Sequence, residues 1–301
     1  MRNITNSNTA SDKRVRVLVT GYRGILGRAL LAALPARGVE TSGVDVEELD
    51  ITARDAVAAY IGGLAPTVVI NAAAFTRVDE CESRPAECYA VNAGGAENVA
   101  RAAAAAGARV IQLSTDYVFD GATDRPYVEG DAPSPLNVYG ASKLEGERRV
   151  GAVCPDAVIV RTAWLFGAGG PNFIAKIIKR ARAGDALRVV DDQRGSPTFA
   201  GHLAAALAEL LAVDFRGVVH VAGAGVASWY DVAAEVLRAE GYSAPLMAIK
   251  TAELGAAARR PPYSALDCSL YARLTGKAMP LWETGVAAYA AALGEGGVVA
   301  D

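Results

Sequence analysis

One stretch constrains the fold more than any other: VRVLVTGYRGILG, from Val15 to Gly27. Val15, Val17 and Val19, with Leu18, form the β-branched apolar run of a central parallel strand. A glycine turn follows, then a helix reading through Leu34. Gly21, Gly24 and Gly27 are spaced GxxGxxG, so the middle glycine stands one residue later than in the usual GxGxxG dinucleotide fingerprint. The physical requirement is unchanged. A side chain at the turn would hold the backbone off a pyrophosphate, and the first helical N–H groups carry partial positive charge. Three glycines by themselves equally describe a turn with no ligand. The context favours the ligand. Val39 to Val44 reads as a second strand, and Asp45 follows it, 18 residues past Gly27. A carboxylate there can accept hydrogen bonds from adenosine ribose hydroxyls; the plain alternative is a solvated acid at a strand end. Strand, glycine turn, helix, strand and acid together point to a nicotinamide dinucleotide.

At 301 residues the chain can form one large domain or two modest ones, and 52% hydrophobic residues supply a sizeable core. The formal charge of −3 and the lack of a basic block argue against nucleic acid or a bilayer surface as partner. Apolar runs are broken by Gly or charge well before ~18 residues, so no membrane span is expected. The opening MRNITNSNTASDKR lacks the apolar core of a secretory signal, and residues 1–13 read as a loose tail. Cys81, Cys88, Cys154 and Cys268 form no CxxC pair, and His202 and His220 lie far from them. Reduced, mostly buried thiols in the cytoplasm are expected, with no metal or catalytic role for either histidine.

Beyond Asp45, Thr52 is placed to cap a helix from Ala53 to Leu64. Asp50 and Ile51 either border an adenine ring or serve only as helix lead-in. A strand over Thr67 to Ile70 runs into small residues, Asn71 to Ala74, which leave space above the sheet edge where open α/β folds bind ligands. A helix from about Pro85 to Ala106 ends at Gly107. Asn92 within it reads as solvated, with a tie to backbone beneath the site as the alternative. The strand Arg109 to Leu113 leads into Ser114 and Thr115, hydroxyls well placed for a substrate carbonyl oxygen. The acidic, Pro- and Gly-rich loop Ala122 to Pro135 is expected to lie over the site.

Tyr139 and Lys143 follow at i and i+4, sharing one helix face about 6 Å apart along the axis. A free phenol, pKa ~10, is a poor acid near neutrality. A nearby cation stabilises the phenolate, and about 1–3 units of lowering are expected from Lys143. Lys143 can also hold the nicotinamide ribose. Tyr139 then gives its proton to a carbonyl oxygen that Thr115 also holds, so developing alkoxide charge meets donors already in place.

In the second half, a strand Ala157 to Arg161 leads to Trp164, which stacks on sugar or base or else belongs to the core. A helix from Asn172 to Ala183 turns Lys176, Lys179 and Arg180 to water. The segment 191–198 reads as a turn rejoining the sheet, and Thr198 as the lead into a helix around His202 to Leu211. A strand covers Gly217 to Val221, Ser228 caps a helix from Trp229 to Glu240, and Arg259-Arg260-Pro261-Pro262 is either a linker or a contact for a nucleotide diphosphate. An alanine-rich helix, Leu281 to Leu293, and a flexible tail close the chain.

The segments GYRGILG, INAAAFTRVDECE, STDYVFDG, SPLNVYGASK, RTAWLFG, DDQRGSPT and VVHVAG occur in this order over roughly residues 15 to 222, followed by RRPPYSALD and LWETGV. Together they resemble the extended short-chain dehydrogenase/reductases, and among these the dTDP-4-dehydrorhamnose reductase family. The resemblance implies an α/β protein: a doubly wound parallel sheet (Rossmann) over 14–168 with a returning segment near 198–222, and a smaller α/β substrate domain from 169–197 and 223–301. It implies reduction of the C4 ketone of a dTDP-4-dehydro-6-deoxyhexose by NADPH or NADH, dTDP-4-dehydro-L-rhamnose giving dTDP-L-rhamnose, in a monomer or homodimer. Carried over, Tyr139, Lys143 and Thr115 are catalytic. Gly24, Ile25 and Leu26 line the pyrophosphate turn with Gly21 and Gly27. Asp45, Asp50 and Ile51 take the adenosine side, and Ala74, Phe75 and Thr76 the wall beside it. Thr115, Asp116 and Trp164 contact substrate. Some family members dimerise around magnesium through an acid in the first helix; Arg28-Ala29 stands there in this chain, so the metal is not carried over. Alternatives are a related dTDP-deoxysugar ketoreductase, an epimerase or a dehydratase with Asp116 as the extra acid, and a non-catalytic regulatory subunit on the same fold.

Overall fold

Residues 15–294 are described by the structure, a computed structural model of the chain; the expected tail over 1–13 and the stretch after Gly294 lie outside them. The centre is β1 (Arg16–Thr20), between β2 (Glu40–Val44) and β3 (Val68–Asn71), with β4 (Arg109–Thr115) and β5 (Val158–Thr162) beyond β3. A late strand, Gly217–His220, returns to pair with β5. Every neighbour is parallel, in the order returning strand, β5, β4, β3, β1, β2. The chain leaves β1 toward β2 and comes back on its other side as β3, so a crevice opens between β1 and β3 at the carboxyl ends of the strands.

The helices are α1 (Ile25–Ala33), α2 (Arg54–Leu64), α3 (Val78–Ser83), α4 (Pro85–Tyr89), α5 (Ala96–Ala105), α6 (Val138–Val153), α7 (Phe173–Arg182), α8 (Ala200–Leu210), α9 (Trp229–Glu240), α10 (Ser269–Thr275) and α11 (Trp282–Gly294). Strand side chains alternate between faces. Val17 and Val19 join Leu26 and Leu30 of α1, Leu203 and Leu207 of α8 and Tyr271 of α10. Leu18 points the other way, to Val57 and Ile61 of α2, Val99 of α5 and Val150 of α6. Burial on both faces explains why β1 reads as an unbroken apolar run. A separate core joins Ile174 and Ile178 of α7, Val232 and Val236 of α9 and Val286 of α11. It is bounded by a parallel pair, Leu187–Val190 with Leu246–Ile249. Among the described residues no helix is long and apolar enough to cross a membrane.

Several local readings change. β4 runs on to Thr115, two residues past the expected end at Leu113, so Ser114 and Thr115 are its last residues. The N-cap of α2 is Ala53, without a side-chain bond, because the Thr52 hydroxyl donates to Asp50 Oδ1 at 2.8 Å. The segment read as one helix from Pro85 is α4, a wide π turn over Ala90–Gly95, and α5. Tight packing against Ile51 accompanies the wide turn: a Cβ on Gly95 would stand 2.6 Å from Ile51 Cγ1. The segment 191–198 does not rejoin the main sheet; Arg194–Gly195 pairs with Ala227–Ser228, and Thr198–Phe199 with Leu165–Phe166. Thr198 therefore sits in a short strand ahead of α8. The loop from Ala122 to Pro135 docks on the C-terminal segment rather than over the crevice: Tyr127 N donates to Ala265 O at 2.8 Å, and Asp267 N to Tyr127 O at 2.8 Å. Ser228 caps α9 as read, in a reciprocal box with Asp231.

Candidate active site

A cleft of about 840 Å³ follows the crevice from Asp45 at one end to Trp164 at the other. All the sequence-derived site residues line it: Gly21, Gly24, Ile25, Leu26, Gly27, Asp45, Asp50, Ile51, Ala74, Phe75, Thr76, Thr115, Asp116, Tyr139, Lys143 and Trp164.

At the nucleotide end, Gly21 has φ +71°, and a Cβ there would lie 2.7 Å from Ala73 N, so only glycine fits. A Cβ on Gly27 would lie 2.4 Å from Gly21 O, which is how α1 comes so close to the turn. Gly24 is the N-cap of α1 and supplies no side chain, leaving the first helical N–H groups open to the cleft. Asp45 receives the backbone N–H of Arg23 and of Val46, each at 2.8 Å. The Arg23 guanidinium reaches Glu47 at 2.7 Å and also Glu48. Bare backbone at a helix start, one strand-end carboxylate and a long adjoining cleft fit a pyridine dinucleotide. Asp50 is spent on its own turn, accepting from Thr52 N and Oγ1, both at 2.8 Å.

Asn92 is buried, not solvated. The π turn aims it inward, where Oδ1 accepts Phe75 N at 2.8 Å and Nδ2 donates to Phe75 O at 3.1 Å and Ser142 Oγ at 3.0 Å. It thereby fixes the wall of small residues after β3 and ties it to α6.

At the other end, Asn137 caps α6 by accepting Gly140 N at 2.8 Å. The helix starts hard against the chain after β4; a Cβ on Gly140 would stand 2.0 Å from Tyr117 O. This sets Tyr139 beside Thr115 and buries Lys143, whose Nζ donates to Leu113 O at 2.6 Å. Burial pushes Lys143 down to about 8, with Glu147 acting against it. The expectation that Lys143 lowers Tyr139 is not met. Phe75, Cys81, Cys88 and Val138 pack around the phenol, and burial raises it well above the ordinary tyrosine range, the Thr115 hydroxyl pulling the other way. Desolvation sets the direction, and Lys143, whose Nζ is engaged with the Leu113 carbonyl, does not offset it. Tyr139 is thus held protonated, the form a proton donor needs.

Asp116 is buried, with Oδ2 lacking a partner. Burial pushes its carboxyl up to about 7, against the Ser264 and Thr115 hydroxyls. Trp164 has φ +45°, a strained conformation for a non-glycine residue. One face of its indole is covered by Trp229 at 3.7 Å and 2°, so stacking of a sugar or base there is barred. Arg260 is turned from the cleft: it makes a two-point pair with Asp79 at 3.0 and 2.7 Å, contrary to a diphosphate contact. His202 and His220 do not line the cleft, and burial lowers His220 to about 4. The sequence reading missed Arg23, Arg77, Glu87 and Gly169–Pro171, all on the cleft wall. Arg23 lies inside the glycine turn, and Gly169-Gly170 was a visible signal.

The model of the RmlD substrate binding domain family matches residues 15–294. A dTDP-4-dehydrorhamnose reductase of Streptomyces griseus is 46% identical over 264 residues, covering 85% of this chain and 86% of that protein. The chain belongs to this reductase family. Two solved family members agree in fold. The dTDP-4-dehydrorhamnose reductase of Clostridium acetobutylicum ATCC 824 superposes with TM-score 0.90 at 39% identity, over 93% of this chain and 100% of that one. That of Bacillus anthracis str. Ames, in complex with NADP, gives 0.89 at 36% identity, over 92% and 98%.

Proposed function

We propose that this chain reduces the C4 ketone of dTDP-4-dehydro-L-rhamnose to dTDP-L-rhamnose with NADPH or NADH. The observation that carries the reading is the convergence of Thr115, Tyr139 and Lys143 on a cleft whose far end has the bare helix start and Asp45. The reduced nicotinamide, when bound, supplies the hydride. The chain's residues do the rest. Gly21, Gly24 and Gly27 admit the pyrophosphate, and Asp45 takes the adenosine ribose. Asp116 and Trp164 contact the sugar nucleotide, Trp164 through its indole edge, since Trp229 and Gly195 pack on its ring. Thr115 and Tyr139 hold the carbonyl oxygen, and Tyr139 gives it a proton as the carbon is reduced. Lys143 faces the resulting phenolate and stabilises it until solvent returns the proton. Among the described residues, 15–168 with 198–222 form the dinucleotide half, and 169–197 with 223–294 the sugar half, in a monomer or homodimer. Four free thiols, three of them buried, support a cytoplasmic setting.

The test is oxidation of NADPH or NADH with dTDP-4-dehydrorhamnose, followed by identification of the product sugar. Turnover of a different dTDP-4-keto-deoxysugar in its place moves the assignment to a related ketoreductase. A folded protein that binds the nucleotide and turns over no such sugar is a regulatory subunit.

A further inference from the structure

Glu147 is 6% exposed and plays no part in the chemistry above. It stands on α6 four residues past Lys143 and eight past Tyr139, on the same face. Its Oε1 accepts Ser114 Oγ at 2.5 Å and Arg161 Nε at 2.9 Å, and its Oε2 accepts Arg161 Nη2 at 2.7 Å. Arg161 lies opposite Ser114 across the β4–β5 ladder. Three consecutive residues of β4 thus meet three turns of α6: Leu113 holds Lys143, Ser114 holds Glu147, and Thr115 adjoins Tyr139. We propose that Glu147 is a positioning residue whose carboxylate, locked by Ser114 and Arg161, keeps the Lys143 ammonium charged and seated under the catalytic phenol.

The reason is a charge count. A buried ion pair contributes little to stability, since desolvation offsets the attraction. Here the buried groups are two cations, Lys143 and Arg161, and one anion. Among the described residues, the groups acting on Lys143 are Glu147 and Cys88 of α4, whose sulfur lies 2.9 Å from Cys81 Sγ, while burial pushes Tyr139 and Asp116 toward their neutral forms. Arg161 cannot lose its proton, and Lys143 can. Glu147 is the carboxylate that works against the burial of Lys143, and without it burial alone would carry Lys143 further toward the neutral amine.

The inference rests on the reductase reading, and one of its two readouts does not. In Glu147→Gln the alkaline limb of the kcat profile is expected to move down by about one pH unit or more. Titration of Lys143, followed by NMR in protein labelled at lysine Cε and assigned with Lys143→Arg, should move with it. If Glu147→Gln does not fold, Glu147→Leu with Arg161→Met removes both charges, and a shift in the same direction is expected. A limb and a titration that coincide with the parent's would overturn the proposal and leave Glu147–Arg161 as a brace between α6 and β5. Should the parent show no turnover, the activity reading fails by itself, and the NMR titration still decides this one.

Discussion

At the scale of single residues, the environment of each ionisable group sets its role. Burial keeps Tyr139 protonated and leaves Lys143 titrating near 8. Tyr139→Phe should retain cofactor affinity and lose at least ~10² in turnover; stopped-flow binding together with steady-state rates checks both. The ammonium of Lys143 is present below its pKa and lost above it, so reduction should fall as pH rises through about 8, measured at saturating cofactor and sugar. Arg23 bears on cofactor choice. From sequence, Asp45, Glu47 and Glu48 should repel a 2′-phosphate, but the Arg23 guanidinium sits between Glu47 and Glu48 and offsets them. Arg23→Ala should therefore lower kcat/KM for NADPH by about tenfold more than for NADH; competing the two cofactors measures the ratio.

At the scale of elements, α6 carries the reacting groups and is seated by two glycines. A Cβ on Gly146 would stand 2.3 Å from Asn92 O, as one on Gly140 would from Tyr117 O at 2.0 Å. In an isolated helix Gly→Ala is favourable by about 1 kcal/mol. Here the clash should reverse the sign, and Gly146→Ala should destabilise by about 1–3 kcal/mol, as overpacking does. Chemical denaturation checks the stability, and turnover should drop with it because Lys143 and Tyr139 ride on the same helix. The strand–turn–helix start and the pairing of Tyr139 with Lys143 were legible, because both are local periodicities. The π turn was not. A 3.6-residue pattern runs through it, and the wider turn is recognised only by what it aims inward: Asn92, held between Phe75 and Ser142.

At the scale of the molecule, the segment 258–267 straps the C-terminal part across the catalytic end. Arg260 and Ala258 N both bind Asp79 of α3, Leu266 N donates to Ser196 Oγ at 3.2 Å, and Ser264 lies beside Asp116. Asp79→Asn weakens the first of these. It should raise KM for the sugar nucleotide several-fold while leaving KM for the cofactor within twofold, about what loss of a partly exposed ion pair allows; initial-rate kinetics in both substrates separate the two. The sequence by itself determined the parallel sheet, the glycine turn and the pairing of Tyr139 with Lys143 on one helix face, since each depends on neighbours within a few positions or on an apolar run buried on both faces. Only the tertiary structure decided the charge states and the orientations. Whether Tyr139 is raised or lowered, which indole face is covered, and where Arg260 points depend on side chains far away in sequence, brought together by packing, and on the water that packing excludes.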